Sequence, residues 1–180
     1  MTKPQVLTDA ERNSRFEALA REYGTDLYRY GLWLCGNDAL AKDLVQETFL
    51  RAWKALHNLK EQAAVKGWLI TILRREFART FERKVPKFTD LDSVVIEESK
   101  DLSPEDQLER KLLREGILRL PIRYREPLLL QVVMGHSCEE IAAQLGLSKS
   151  AVMTQLFRAR EKLKTMLQRD GVTGNIHELF

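Results

Sequence analysis

From Asp9 to Arg83 apolar residues return every three or four positions, with breaks at Gly24, at Gly36-Asn37 and between His57 and Lys66. That spacing lines one face of a helix. The breaks divide the stretch into four expected helices, roughly 9–22, 25–35, 38–56 and 66–84. The period is lost over "KVPKFTDLDSVVIEESKDLSP", Lys84–Pro104, although "SVVI" could pack locally. It resumes after Ser103, with Pro104 suited to a first helical position, where no amide partner is lost. Four further helices are expected, roughly 104–118, 121–134, 138–145 and 149–168. No run alternates with a period of two, so strands are not expected. The fold expected is all-α: two small helical domains joined by a flexible linker.

The second domain carries a recognisable layout. Ser137 followed three residues later by Glu140 is a capping box that fixes a helix start. Ile141 and Leu145 give that short helix an inner face, Gly146 permits a tight turn, Leu147 is expected to plug the core, and Ser148 can cap the next helix. At 100° per residue, Val152, Leu156, Ala159 and Leu163 then share one stripe. Ser150, Thr154, Phe157, Arg158 and Glu161 lie opposite. A short helix, a glycine turn and a longer helix make a helix-turn-helix, whose second helix enters the DNA major groove. An outward Phe157 can touch a thymine methyl or lie over sugar and base edges, and Thr154 and Gln155 can bond to bases. Lys149, Arg158, Arg160 and Lys162 can hold phosphates or read guanine. The plainer reading packs Phe157 on a neighbour and leaves the basic residues solvated; the cap, the turn and the polarity together favour DNA.

Two helices of the first domain stand out. In "DLVQETFLRAW", Asp43–Trp53, apolar residues wrap most of the helix, and Asp43, Gln46 and Glu47 fill the remainder. A helix apolar on two sides is either central in its bundle or turned to a partner. Residue spacing leaves both open. In "WLITILRREFARTFERK", Leu69, Ile70, Leu73, Phe77 and Phe81 form the core stripe. Arg75, Arg79 and Arg83 repeat every fourth residue beside Arg74 and Lys84. Like charges at that spacing repel unless an anion neutralises them. Glu76 and Glu82 relieve part of this, and a phosphate-tracking ridge accounts for the rest.

Composition narrows the class. The chain has 180 residues, 44% hydrophobic and 31% charged, with a net charge of +3. Residues 1–84 hold 15 basic against 11 acidic groups, residues 104–180 hold 12 against 10, and residues 85–103 reverse this with 2 against 5. Two modestly basic blocks flank an acidic connector. Cys35 and Cys138 have no partners at redox or metal-ligand spacing. His136 and Cys138 are half a metal site without a second half, so no metal is expected. No apolar run approaches the ~20 residues of a membrane span, and the start lacks a signal peptide. A soluble, intracellular protein is expected.

Taken in order, "DALAKDLVQETFLRAW", "GWLITILRR", the acidic connector and "LPIRYREPLLLQVVMGHSCEEIAAQLGLSKSAVMTQLFRAREKL" resemble an extracytoplasmic-function sigma factor. These are small bacterial initiation factors of the sigma-70 family, built from sigma regions 2 and 4. The resemblance runs from about Phe16 to Leu167. It implies region 2 over 1–84, a linker over 85–103, region 4 over 104–170 and a tail over 171–180. It also implies a cytoplasmic, monomeric protein that is not an enzyme and needs no cofactor. Its partners would be RNA polymerase core (β′ clamp helices and β flap), promoter DNA and an anti-sigma factor.

By the same resemblance, Asp43, Gln46 and Glu47 make polar contacts with polymerase, and Phe49 and Trp53 add apolar area, a mix suited to a partner interface. The loop "HNLKEQAAVKGW" captures a flipped base of the promoter −10 element, with Asn58, Lys60 and Lys66 as candidates. Arg74, Arg75, Arg79 and Arg83 contact DNA near it. Lys149, Ser150, Thr154, Gln155, Phe157, Arg158 and Arg160 meet the −35 element. Many members have Asn and Asp where this chain has Arg75 and Arg79, so phosphate contact should be stronger there. Met153 and Gln155 replace a frequent basic residue and an arginine, so −35 preference should be altered. The linker acids Asp90, Asp92, Glu97, Glu98 and Asp101 suit the positively lined channels of polymerase, or merely a solvated tether. The alternatives are a stand-alone regulator, which would bind its operator without polymerase, and a helical RNA-binding protein, which lacks the usual aromatic surfaces.

Overall fold

The computed structural model describes residues 8–56, 64–83 and 103–171; side chains are not described at 81–83, 105 and 106. Among these residues there are seven α-helices and no strand: α1 (Asp9–Cys35), α2 (Asp38–Ala55), α3 (Val65–Arg83), α4 (Pro104–Arg119), α5 (Ile122–Val132), α6 (Cys138–Leu145) and α7 (Lys149–Arg169). They form two compact units. The first holds α1 through Leu32 with α2 and α3, and the second holds α4 to α7. The acidic connector and the tail from residue 172 lie outside the described residues.

The first unit departs from expectation at Gly24. One continuous helix, α1, replaces the two expected. A helical glycine costs about 1 kcal/mol against alanine, and the buried row Leu19, Leu27 and Tyr30 continues across it. Packing on both sides outweighs the local penalty. Thr8 starts the helix: its amide donates to Glu11 Oε2 at 2.8 Å, and the Glu11 amide returns a bond to Thr8 Oγ1 at 3.3 Å. Asn37 caps α2, accepting from the Leu40 amide at 2.8 Å. α2 buries Ala41, Leu44, Thr48 and Ala52. α3 buries Leu69, Ile70, Leu73 and Phe77, as its spacing predicts. Phe81 belongs to the same stripe but its side chain is not described.

In the second unit α7 packs against α4, α5 and α6. Its inner stripe of Val152, Leu156, Ala159 and Leu163, extended by Leu167, is buried. α4 crosses it closely at Gly116, where a Cβ would fall 2.6 Å from Leu163 Cδ1. The buried Arg125 ties the α4–α5 turn together by donating to the carbonyls of Leu118 and Leu120. The capping box of α6 is present: the Ser137 amide donates to Glu140 Oε2 at 2.7 Å, and the Glu140 amide to Ser137 Oγ at 3.2 Å. Gly146 ends α6 at φ 66°, a left-handed conformation that glycine adopts without steric cost. Leu147 does not plug the core. It is 37% exposed, because that left-handed residue turns the chain outward before Ser148 caps α7.

Candidate functional site

Three helix faces carry the candidate residues. On α2, Asp43 and Gln46 are exposed, Glu47 is half-buried, and Leu50, one turn further on, is 49% exposed. These four share a face at helical spacing. Phe49 and Trp53 turn elsewhere. Both are half-buried and meet the Phe16 ring of α1 edge-on, with ring centres 5.9 and 5.1 Å apart. The Arg12 guanidinium covers the other part of the indole at 4.4 Å. Aromatic area that spacing left uncommitted is therefore shared with α1. Leu50 is the exposed apolar residue on this face that the sequence reading passed over; the only signal was its place one turn after Gln46.

On α3, Arg75 is exposed and Arg74 and Lys66 are half-buried. Arg79 is exposed but paired, its Nη1 lying 3.0 Å from Glu76 Oε1. Glu76, only 8% exposed, also meets Arg51 Nε of α2 at 2.6 Å. The repulsion expected along the arginine row is thus relieved by a buried carboxylate. Arg83 closes α3, but its side chain is not described, and Asn58 and Lys60 lie outside the described residues.

The outward face of α7 holds Ser150, Met153, Thr154, Phe157 and Arg158, all exposed. Phe157 is 65% exposed, so it does not pack on a neighbouring helix of its unit. Thr154 Oγ1 donates to the Ser150 carbonyl at 3.0 Å. Its hydroxyl proton is used there, leaving lone pairs and a methyl group for a ligand. Three other predicted contacts have partners or cover within the unit, with Lys149 still exposed. Lys149 pairs with Glu139 of α6, Arg160 donates to Gln131 Oε1 of α5, and Gln155 is half-buried with its Oε1 shielded from solvent. The pairing holds the Glu139 carboxyl below its ordinary value and the Lys149 ammonium above its own.

A cluster at the start of α5 borders the same face. Arg158, together with Arg123 and Lys162 nearby, holds the Tyr124 phenol below its ordinary value. The Arg123 guanidinium lies 4.7 Å from the Tyr124 ring centre and Lys162 Nζ lies 5.9 Å from it. Three cations converge on one buried tyrosine. Pro121, which precedes α5, supplies no side-chain cap, so the helix N-terminus adds its own partial positive charge. Such a concentration of positive charge suits a phosphate. Arg123 is absent from the sequence reading because nothing in a linear spacing brings α5 beside α7. Among the described residues no group of three His, Cys, Asp or Glu could hold a metal ion, and no helix is long and apolar enough to cross a membrane.

Comparison with known proteins agrees with this arrangement. Residues 19–85 match the family Sigma-70 region 2, and residues 110–163 match Sigma-70, region 4. The chain is 32% identical over 151 residues to the ECF RNA polymerase sigma factor SigM of Bacillus subtilis, covering 82% of this chain and 91% of that one. It is 31% identical over 166 residues to the ECF sigma factor EcfG of Rhodopseudomonas palustris, covering 92% and 89%. Among solved structures, CnrH in complex with the cytosolic domain of CnrY superposes with a TM-score of 0.68 at 26% identity, covering 88% of this chain and 90% of that one. The sigma factor RpoE in complex with the anti-sigma factor NepR, from Bartonella quintana, shares the fold, with a TM-score of 0.72 at 24% identity over 86% and 98% of the two chains.

Proposed function

This chain belongs to the extracytoplasmic-function sigma factors of the sigma-70 family and directs promoter-specific initiation by RNA polymerase, and on that premise we propose how its faces divide the work. Residues 1–84 act as region 2, 85–103 as a linker and 104–170 as region 4. The row Asp43, Gln46, Glu47 and Leu50 docks on the β′ clamp helices of core enzyme. Exposed polar groups around one exposed leucine suit a partner surface, since an apolar anchor ringed by polar contacts excludes water well. Phe49 and Trp53 shape that surface through their packing on Phe16.

Region 4 reads the −35 element with α7, and its other side meets the β flap. Met153 and Phe157, one turn apart and both exposed, contact thymine methyls or sugar edges. Arg158 reads a base or bridges to phosphate, with Thr154 accepting and Ser150 at the helix start. Arg123 and Lys162 grip the phosphate backbone beside the groove. On region 2, Arg75 and Arg79 meet the duplex near the −10 element, with Arg74, Arg83 and Lys66 adding positive charge. Asn58 and Lys60 are proposed for the extruded base. Capturing that base offsets part of the few kcal/mol needed to unstack it.

The factor works by binding and positioning alone. It breaks no covalent bond and uses no cofactor. It acts in the bacterial cytoplasm as a monomer, and we propose an anti-sigma partner for it, as the sigma factor RpoE has in NepR. The observation that carries the reading is the coexistence of two outward faces, an acidic and amide row with one leucine on α2 and an aromatic–arginine face on a capped helix-turn-helix.

The test is in vitro transcription with purified core polymerase, with start sites mapped. Site-selective initiation that depends on this chain is expected. Leu50→Ala, or Asp43→Ala with Gln46→Ala, should weaken core binding about tenfold while the circular dichroism of the free chain stays unchanged. Binding of a promoter fragment as a dimer with no need for polymerase would instead mark a stand-alone regulator.

A further inference from the structure

We infer that Glu76 is a positioning residue which, through Arg51, couples polymerase docking on α2 to promoter contact on α3. The inference deepens the reading above and rests on it. Four side chains of alternating charge run across the two helices. Glu47 Oε1 lies 2.9 Å from Arg51 Nε, Arg51 Nε lies 2.6 Å from Glu76 Oε1, and Glu76 Oε1 lies 3.0 Å from Arg79 Nη1. The outer members, Glu47 and Arg79, sit in the polymerase-facing and DNA-facing rows. The inner members belong to neither row.

The links share atoms, so they compete. Arg51 Nε stands within ion-pair distance of both carboxylates without a hydrogen bond to either, so its charge is shared between them, and one Glu76 oxygen faces both guanidinium groups. A cationic group of core enzyme that engages Glu47 leaves Arg51 more fully to Glu76. Glu76 then holds Arg79 less tightly, and Arg79 becomes available to a backbone phosphate. Burial sharpens the exchange. Glu76 is shielded from water while its two partners are partly solvated, so its charge is felt more strongly than that of an exposed acid. By linkage the effect runs both ways: DNA at Arg79 should strengthen docking at Glu47 by the same factor. The device fits the sequence. Arg79 recurs four residues after Arg75, and the opposing charge comes from a buried carboxylate three residues before it.

The experiment is a double-mutant cycle with the full chain and core enzyme, following the equilibrium constant for open-complex formation at fixed salt. Glu47→Gln and Arg79→Gln are combined in the wild-type background and again with Glu76→Gln. In the wild-type background their effects should be non-additive by roughly fivefold or more, the lower range of allosteric coupling. With Glu76→Gln the effects should become additive. Additivity in the wild-type background, or equal coupling with and without Glu76, overturns the inference. A merely structural Glu76 would lower stability and leave the coupling in place. Should Glu76→Gln fail to fold by circular dichroism, Arg51→Gln, altered at a half-exposed position, cuts the same link and carries the same expectation. Wild-type chain that initiates normally while the cycle is additive overturns only the coupling, whereas wild-type chain that fails to initiate with core overturns the reading beneath it.

Discussion

The Arg12 guanidinium of α1 sits 4.4 Å from the centre of the Trp53 ring and donates to the Trp53 carbonyl at 2.8 Å, joining residues 41 apart. The carbonyl belongs to the last turn of α2, where it also accepts from the Leu56 amide, and a cation is favoured at that helix end. One side chain therefore caps a helix and covers an aromatic ring. Replacing Arg12 by alanine should cost about 2 kcal/mol, combining a charged hydrogen bond with a cation–π contact. Lysine should restore only part, since it keeps the charge but loses the planar fork. Urea unfolding followed by tryptophan fluorescence measures both; an unchanged midpoint for Arg12→Ala would remove the contact from any account of stability.

Arg158 and Arg160 lie two residues apart on α7 and should behave differently. Arg158 faces outward beside Phe157, whereas Arg160 is occupied by Gln131. Arg158→Ala should cost about 1–3 kcal/mol on the cognate −35 sequence if it reads a base. An equal loss on every sequence, with a shallower salt slope, would make it a phosphate contact. Arg160→Ala should lower thermal stability and leave sequence discrimination intact. Titrating the holoenzyme against −35 variants at several salt concentrations separates these outcomes.

The Glu139–Lys149 pair bridges the two helices of the helix-turn-helix, and its pH dependence follows from the shifts. Glu139 is held below its ordinary 4.5, so its contribution is complete above that value and disappears as pH falls through the depressed one. Lys149 is held above its ordinary 10.5, so its contribution is complete below that value and disappears as pH rises through the raised one. Both groups are solvent-exposed, which keeps the stability effect small. The larger consequence concerns DNA. Glu139→Gln should release Lys149 toward phosphate, raising affinity for all sequences and steepening the salt slope by about 1. An unaltered slope would show that Lys149 stays away from the backbone.

Two helical glycines give opposite predictions. Nothing lies within 4 Å of a Cβ added at Gly24, so Gly24→Ala should stabilise the first unit by about 0.5–1 kcal/mol. At Gly116 the added methyl would meet Leu163 Cδ1 at 2.6 Å, and Leu163 is fully buried. Overpacking there should outweigh the gain in helix propensity and destabilise the second unit by about 1–2 kcal/mol. Differential scanning calorimetry of the two variants should show melting shifts of opposite sign.

Much of this protein is decided along the chain. Apolar spacing alone determines that the described residues are helical and which side of α3 and α7 is buried, because a helix must turn its apolar stripe from water whatever it packs against. Ser137, Glu140, Gly146 and Ser148 determine the helix-turn-helix locally, since caps and a left-handed glycine act within a few residues. Tertiary structure decides what competition between distant groups decides. It carries α1 through Gly24, turns Leu147 outward, gives Phe49 and Trp53 to Phe16 and leaves Leu50 bare. It also pairs Lys149 with Glu139 and Arg160 with Gln131, and brings Arg123 to the Tyr124 cluster beside the outward face of α7. Each of these depends on a partner that linear spacing does not bring near, and a charge or an aromatic face is spent where its nearest partner in space happens to be.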